Sequence, residues 1–214
     1  SANNRYVTET DPRLDAIGSG GGGGTTGPDL IGIGQKGSGL TISRVGYPAL
    51  ASLNSTDVAY IDNANDELRT YRFNGSTWSL IGNGLSISFS GYPALAALNS
   101  TDVAYIDSSY NELRTYRFNG TTWAQIGTGL SVSYASLVTL TALNSTDVAF
   151  ISIGYNELRT YRFNGATWVQ VGNGLSVGIM GYPALATLNS TDVAFIDHIN
   201  KELRTYRFDG TSWA

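Results

Sequence analysis

Cysteine is absent from the 214 residues, so neither a disulfide nor a thiolate metal site can hold the fold together. Charged side chains make up only 14% of the chain, the formal net charge is −4, and Lys and Arg form no run. A nucleic-acid partner needs a basic patch and is excluded on that ground. No apolar stretch reaches the length of about 18 residues that a membrane helix requires, so no membrane insertion is expected. The start of the chain shows no signal-peptide pattern, and a protein acting outside the cell would be expected to leave by another route, such as lysis or assembly into a particle. What the chain does have is a 42% hydrophobic fraction and 26 glycines.

It also has a repeat, which decides the fold. Asn54-Ser55-Thr56-Asp57-Val58-Ala59 recurs from Asn99, Asn144 and Asn189. Glu67-Leu68-Arg69-Thr70-Tyr71-Arg72-Phe73 recurs from Glu112, Glu157 and Glu202, and Trp78 returns as Trp123, Trp168 and Trp213. Each step is 45 residues, without insertion. Within a unit, turn chemistry separates four short runs of strand character. Strand a is read over 49–53, b over 58–61, c over 67–73 and d over 77–81. The Asn-Ser-Thr-Asp cluster turns a into b, and Asn74-Gly75 turns c into d. Gly82-Asn83-Gly84 is read as releasing the chain toward the next unit.

Four strands in about 45 residues resemble the blade of a WD-type β-propeller, although the Trp-Asp dipeptide and the kelch Gly-Gly are missing from the units. A parallel β-helix is the rival, with shorter coils and fewer hairpins. The expected fold is all-β, a four-bladed propeller over 30–214 with blades of about 40–84, 85–129, 130–174 and 175–214. The last unit stops at Trp213-Ala214, and Leu30-Ile31-Gly32-Ile33-Gly34 matches Leu80-Ile81-Gly82-Asn83-Gly84 at four of five positions. Leu30–Gly34 is therefore expected to continue the outer strand of the fourth blade and close the ring. Two chains forming an eight-bladed ring is the alternative.

Residues 1–29 do not repeat. Thr10-Asp11-Pro12-Arg13-Leu14 resembles segments of bacteriophage tail-fibre and related virion proteins. That resemblance implies an attachment or oligomerisation arm contacting other virion proteins, a homotrimeric habit and a place on the virion surface. The glycine run from Gly18 to Gly24 reads either as a flexible linker or as a tract held between chains.

Comparing the four units separates what the fold demands from what it leaves free. The a–b and c–d turns barely change. The b–c loops (63–66, 108–111, 153–156, 198–201) and the d–a crossings differ in every unit, and in a propeller both fall on one face. They carry Arg44, Phe89, Tyr110, Tyr134, Tyr155, Ile179 and His198, large side chains that water disfavours unless a partner covers them. Tyr47-Pro48, Tyr92-Pro93 and Tyr182-Pro183 sit nearby and suit a sugar platform. The third unit has Ser136-Leu137-Val138 instead. These ten residues (Arg44, Tyr47, Phe89, Tyr92, Tyr110, Tyr134, Tyr155, Ile179, Tyr182, His198) form the expected ligand-binding set. The repeated tryptophans are assigned to blade packing. The repeated Asp, Glu and Arg could make four pockets for an acidic sugar, but eight acids balancing eight arginines favour structural ion pairs between blades.

Catalysis finds little support. His198 is the single histidine, no Ser or Thr has a base beside it, and Gly32-x-Gly34 and Gly37-x-Gly39 precede no helix. A carboxylate pair would have to come from Asp66, Asp62, Asp107 or Asp197, and the last three look like turn-formers. No enzyme, cofactor or metal site is expected. The leading expectation is a phage fibre or spike protein whose propeller binds a host cell-surface receptor, glycan or protein. The alternatives are a structural virion component docking other subunits and a free microbial lectin-like propeller.

Overall fold

The computed structural model describes residues 35–42, 49–62, 64–87, 92–107, 109–132, 138–152, 154–178, 183–197 and 199–214. Contacts divide the chain between Gln35 and Lys36, and the description below concerns the second unit.

The second unit is a four-bladed β-propeller, without a helix among the described residues. Blade 1 holds β1 (Ala49–Ser52), β2 (Asp57–Asp62), β3 (Glu67–Phe73) and β4 (Trp78–Ser86), hydrogen-bonded in that order. Blade 2 repeats the plan with β5 (Ala94–Ala97), β6 (Asp102–Asp107), β7 (Glu112–Phe118) and β8 (Trp123–Ser131). Blade 3 uses β9 (Val138–Ala142), β10 (Asp147–Ser152), β11 (Glu157–Phe163) and β12 (Trp168–Ser176). Blade 4 has three strands, β13 (Leu185–Thr187), β14 (Asp192–Asp197) and β15 (Glu202–Arg207), plus a bridge from Phe208 to Trp213 where a fourth strand begins. All pairings are antiparallel. The innermost strands β1, β5, β9 and β13 neighbour one another in sequence order.

Turn chemistry sets the hairpins. Asn54 Oδ1 accepts the backbone N–H groups of Thr56 and Asp57, each at 2.9 Å, and Asn99, Asn144 and Asn189 do the same in their blades. This end of each blade is clamped further by a bidentate pair. Arg72 Nε and Nη2 each donate to Asp57 at 2.7 Å, and Arg117–Asp102, Arg162–Asp147 and Arg207–Asp192 repeat the arrangement. The sequence balance suggested pairs between blades. Instead each guanidinium reaches a carboxylate of its own blade, because the β2–β3 register sets Asp57 opposite Arg72.

These pairs make stability pH-dependent. The Arg72 hydrogen bonds hold the Asp57 carboxyl down to about 2, and Arg117 lowers Asp102. At Asp147 burial pushes upward, but the bonds from Arg162 and Asn144 outweigh it and the net shift is downward. A carboxyl lowered on folding stabilises above its unfolded pKa and loses that contribution as pH falls through the folded one. The urea midpoint is therefore expected to drop between about pH 4 and about pH 2. Arg72→Gln should flatten part of that slope, and a midpoint indifferent to acid would contradict the assignment.

Blades stack through complementary faces. The trailing face of blade 1 (Ala59, Ile61, Leu68, Ile87) packs on the leading face of blade 2 (Val103, Tyr105, Tyr116, Phe118, Trp123). Blades 2 and 3, and 3 and 4, repeat this with equivalent residues. Central strands are consequently buried on both sides, as throughout β6. Trp123, Trp168 and Trp213 pack between blades as their repetition suggested, while Trp78 lies on the leading face of blade 1. The indole N–H of Trp123 donates to Thr70 Oγ1 of the preceding blade at 2.9 Å, and that of Trp168 to Thr115 at 2.8 Å.

The Gly-Asn-Gly segment does not release the chain. β4 runs on to Ser86 across a bulge opposite Arg69, and Asn83 N–H donates to Thr121 O on the next blade at 2.7 Å. Gly82 has φ +66°, and a Cβ there would overlap the Thr121 carbonyl. Gly37 repeats this against blade 1, with φ +73° and Ser38 N–H donating to Ser76 O at 2.7 Å. Gly37 and Ser38 thus repeat the docking of Gly82 and Asn83, one 45-residue step earlier. The expected closing strand Leu30–Gly34 lies outside the described residues.

Candidate functional site

Antiparallel pairing places the β2–β3 loop and the end of β4 at the same end of blade 1, and blades 2 and 3 repeat this. The β2–β3 loop turns there, and the end of β4 bonds to it. Ile87 N–H donates to Asp66 O at 2.8 Å, Val132 to Asn111 at 2.7 Å and Val177 to Asn156 at 3.0 Å. A Cβ on Gly178, in the crossing after β12, would meet the Ile199 side chain of the next blade at 2.8 Å. Loop and crossing are therefore contiguous there.

The described residues of the loops share a backbone plan although their sequences differ. Asp62 Oδ1 accepts the N–H of Ala64 at 3.0 Å; Asp107 accepts Ser109 at 3.0 Å and Tyr110 at 3.3 Å; Asp197 accepts Ile199 and Asn200, each at 3.0 Å. These are the turn-formers the sequence suggested, and blade 3 carries Ser152 at that position. Each loop closes on a left-handed residue, Asp66, Asn111, Asn156 or Lys201, with φ between 52° and 57°. Asn and Asp tolerate that region; Lys does so less readily.

Beneath the loops sits an arginine. Arg69 contacts Asp62 at 2.8 Å and Glu67 at 2.7 Å. Arg114 contacts Asp107 at 3.0 Å and Glu112 at 2.8 Å, and Arg204 contacts Asp197 and Glu202. Arg159 pairs with Glu157 at 2.8 Å. These guanidiniums are held by carboxylates of their own blade, as the Arg72 set is at the other end, so the reading of arginine forks for an acidic sugar loses its support. Burial pushes the Asp107 carboxyl upward, opposite to the clamp aspartates.

Of the ten expected ligand-binding residues, Tyr92, Tyr110 and Tyr155 fall within the described structure. Arg44, Tyr47, Phe89, Tyr134, Ile179, Tyr182 and His198 lie outside it. Tyr110 stands at the loop end, 58% exposed, with the Arg114 guanidinium 4.7 Å from its ring centroid. Tyr155 has Arg159 at 3.4 Å and is half-buried against the core between blades 2 and 3. Tyr92 is half-buried at the start of blade 2. Sequence reasoning missed the arginines beneath the tyrosines, which a spacing of four residues across a hairpin could have revealed. It also left Ile199, 55% exposed, out of the set. The arrangement offers a cation-backed aromatic ring among loop amides, suited to stacking and hydrogen bonding at a shallow surface. Among the described residues no cluster of three metal-ligating side chains forms.

No family model and no curated protein matches the sequence. Solved structures share the fold. A putative 6-phosphogluconolactonase from Bacteroides uniformis superposes with TM-score 0.62 at 10% identity, over 78% of this chain and 52% of that one. The six-bladed fucose-recognising lectin of Aleuria aurantia superposes with TM-score 0.54 at 17% identity, over 78% and 60%. The same lectin in complex with alpha-methyl-L-fucoside gives TM-score 0.55 at 16%, over 82% and 62%. This chain thus spans between half and two thirds of the length of these solved chains.

Proposed function

We propose that the protein is a carbohydrate-binding, lectin-like propeller without enzymatic activity, which engages glycans through the end bearing the β2–β3, β6–β7, β10–β11 and β14–β15 loops. One observation carries the reading. Four blades of near-identical sequence diverge at that end, on loops that close on the same left-handed position, and there the structure exposes Tyr110 over Arg114. Rigid scaffolds with diversified loops are where binding concentrates. The fucose recognition described for the fungal lectin of similar fold points to sugars as the ligand class, by analogy of fold. A virion setting rests on the Thr-Asp-Pro-Arg-Leu segment alone, and none of the structures named above is a virion protein.

The test is a glycan array probed with the labelled full chain, fucosides included. Binding that a free sugar competes away, and that Tyr110→Ala weakens about tenfold, is the expected result; removal of one exposed aromatic anchor costs roughly 1.4 kcal/mol on that scale. A blank array, or binding that ignores Tyr110→Ala, would sink the proposal.

A further inference from the structure

The propeller has two faces left over. The leading face of blade 1 carries Leu50, Val58, Tyr60, Tyr71 and Trp78, which with Leu40 and Ile42 of the preceding segment line a cavity of about 470 Å³. The trailing face of blade 4 carries Leu188, Ile196 and Leu203. At most of the positions equivalent to these, the other blades are buried. Leu50 is 63% exposed where Leu95 is 8%; Leu203 is 75% exposed and Ile196 44%, where Leu68 and Ile61 are both 0%. From these faces we infer that the two are halves of one interface, and that a second copy of the chain completes it, head to tail, in a closed eight-bladed ring.

Complementarity is the first argument. The leading face of blade 1 is, residue for residue, the surface that blade 2 buries against blade 1, and the trailing face of blade 4 repeats Ala59, Ile61 and Leu68 of blade 1 as Ala194, Ile196 and Leu203, with Ile42 one repeat before Ile87. The chain therefore already contains three worked examples of the missing contact. In the completed ring the Trp78 indole N–H meets Thr205 of the other copy, as Trp123 meets Thr70.

Angle is the second. Four blades that closed on themselves would turn about 90° each, whereas a six-bladed ring turns about 60°. In this chain blade 4 leaves Leu203 and Ile196, and blade 1 leaves Leu50, open to solvent, so the four blades fall short of the turn that self-closure needs. Propellers have about four to eight blades, and among whole chains beyond one, two copies alone stay within that range. The contact is heterologous, and such contacts form rings when the rotation closes. Two copies thus replace the three expected from the fibre resemblance.

The absence of cysteine makes the test clean. Between blades 3 and 4, Thr141 Oγ1 and Thr187 Oγ1 lie 2.7 Å apart. Their equivalents across the inferred contact are Ala186 and Ser52, one and three repeats away. In the full chain, Ser52→Cys with Ala186→Cys should give a two-chain covalent species on a non-reducing gel after mild oxidation. Thr141→Cys with Thr187→Cys is the within-chain control. The unmodified protein should scatter light as two chains, and Leu203→Glu should raise the dissociation constant at least tenfold with the β circular-dichroism signal intact. A single-chain mass overturns the inference. So does a disulfide formed within one chain, which would mean self-closure, a mass above two chains, or no disulfide where the control forms one.

Discussion

Phe150→Ala is expected to cost about 3–5 kcal/mol of stability, measured as the shift in a urea unfolding curve. Phe150 is fully buried. It lies on β10 in the cluster shared by blades 2 and 3, alongside Ala104, Ile106 and Leu113 of the preceding blade. Its ring meets Tyr161 edge-on at 5.7 Å between centroids. Truncation removes both the transfer energy and the contacts that hold two blades together, and β-sheets on either side have little freedom to collapse into the gap. Because each blade touches mainly its neighbours, the loss should also uncouple the two halves and broaden the transition. Tyr110→Ala, at an exposed loop tip, should stay within about 0.5 kcal/mol. Equal effects at the two positions would mean that the stacking of blades is misassigned.

Gly127→Ala is the second large effect, about 2–4 kcal/mol. Gly127 has φ +68°, and an added Cβ would overlap the carbonyl of Ala166 on the next blade. The left-handed conformation alone costs about 1–2 kcal/mol for a residue with a Cβ. The overlap adds more, because its partner is backbone and cannot swing aside. Yielding would pull β8 off blade 3 and break the bond from Thr128 N–H to Ala166 O at 2.7 Å. Gly120 isolates the first part: φ is +95° there and nothing lies within 4 Å of a Cβ. Gly120→Ala should therefore cost only about 1–2 kcal/mol. Thermal melts of the two variants side by side decide the point, and identical melting temperatures would remove the docking role from Gly127.

Most of the architecture was legible because a 45-residue period leaves little choice. Strand b alternates, Asn74-Gly75 announces its hairpin, and four such units give blades. The Gly-Asn-Gly segment misled because glycine pairs usually punctuate. Here their purpose is a close approach to a carbonyl one blade away, which no local pattern encodes. The match of Leu30–Gly34 to Leu80–Gly84 steps by 50 residues and competes with the regular 45-residue step, which aligns Gly37 with Gly82 and Gln35-Lys36-Gly37 with Gln125-Ile126-Gly127. The structure follows the latter at Gly37 and Ser38. Ion pairs were read between blades because composition counts charges without locating them, whereas strand register sets Asp57 across from Arg72. The open faces were hidden for a deeper reason. Identical repeats make identical surfaces, and sequence identity between blades is silent about the angle at which they meet. At the loop end, variability singled out Tyr110, which the structure leaves exposed, but the Arg114 beneath it was hidden among invariant charges.

The three blade-to-blade contacts are chemically interchangeable. Removing or duplicating one 45-residue unit therefore joins surfaces that already fit, and no new side-chain jigsaw has to be invented. Slippage between copies in the coding DNA would add or delete whole blades while leaving every surviving contact of a familiar kind. In such an architecture the number of loops presented along the rim is a heritable dial, and the strength of a weak, repeated grip can be turned up or down without touching the shape of any single loop.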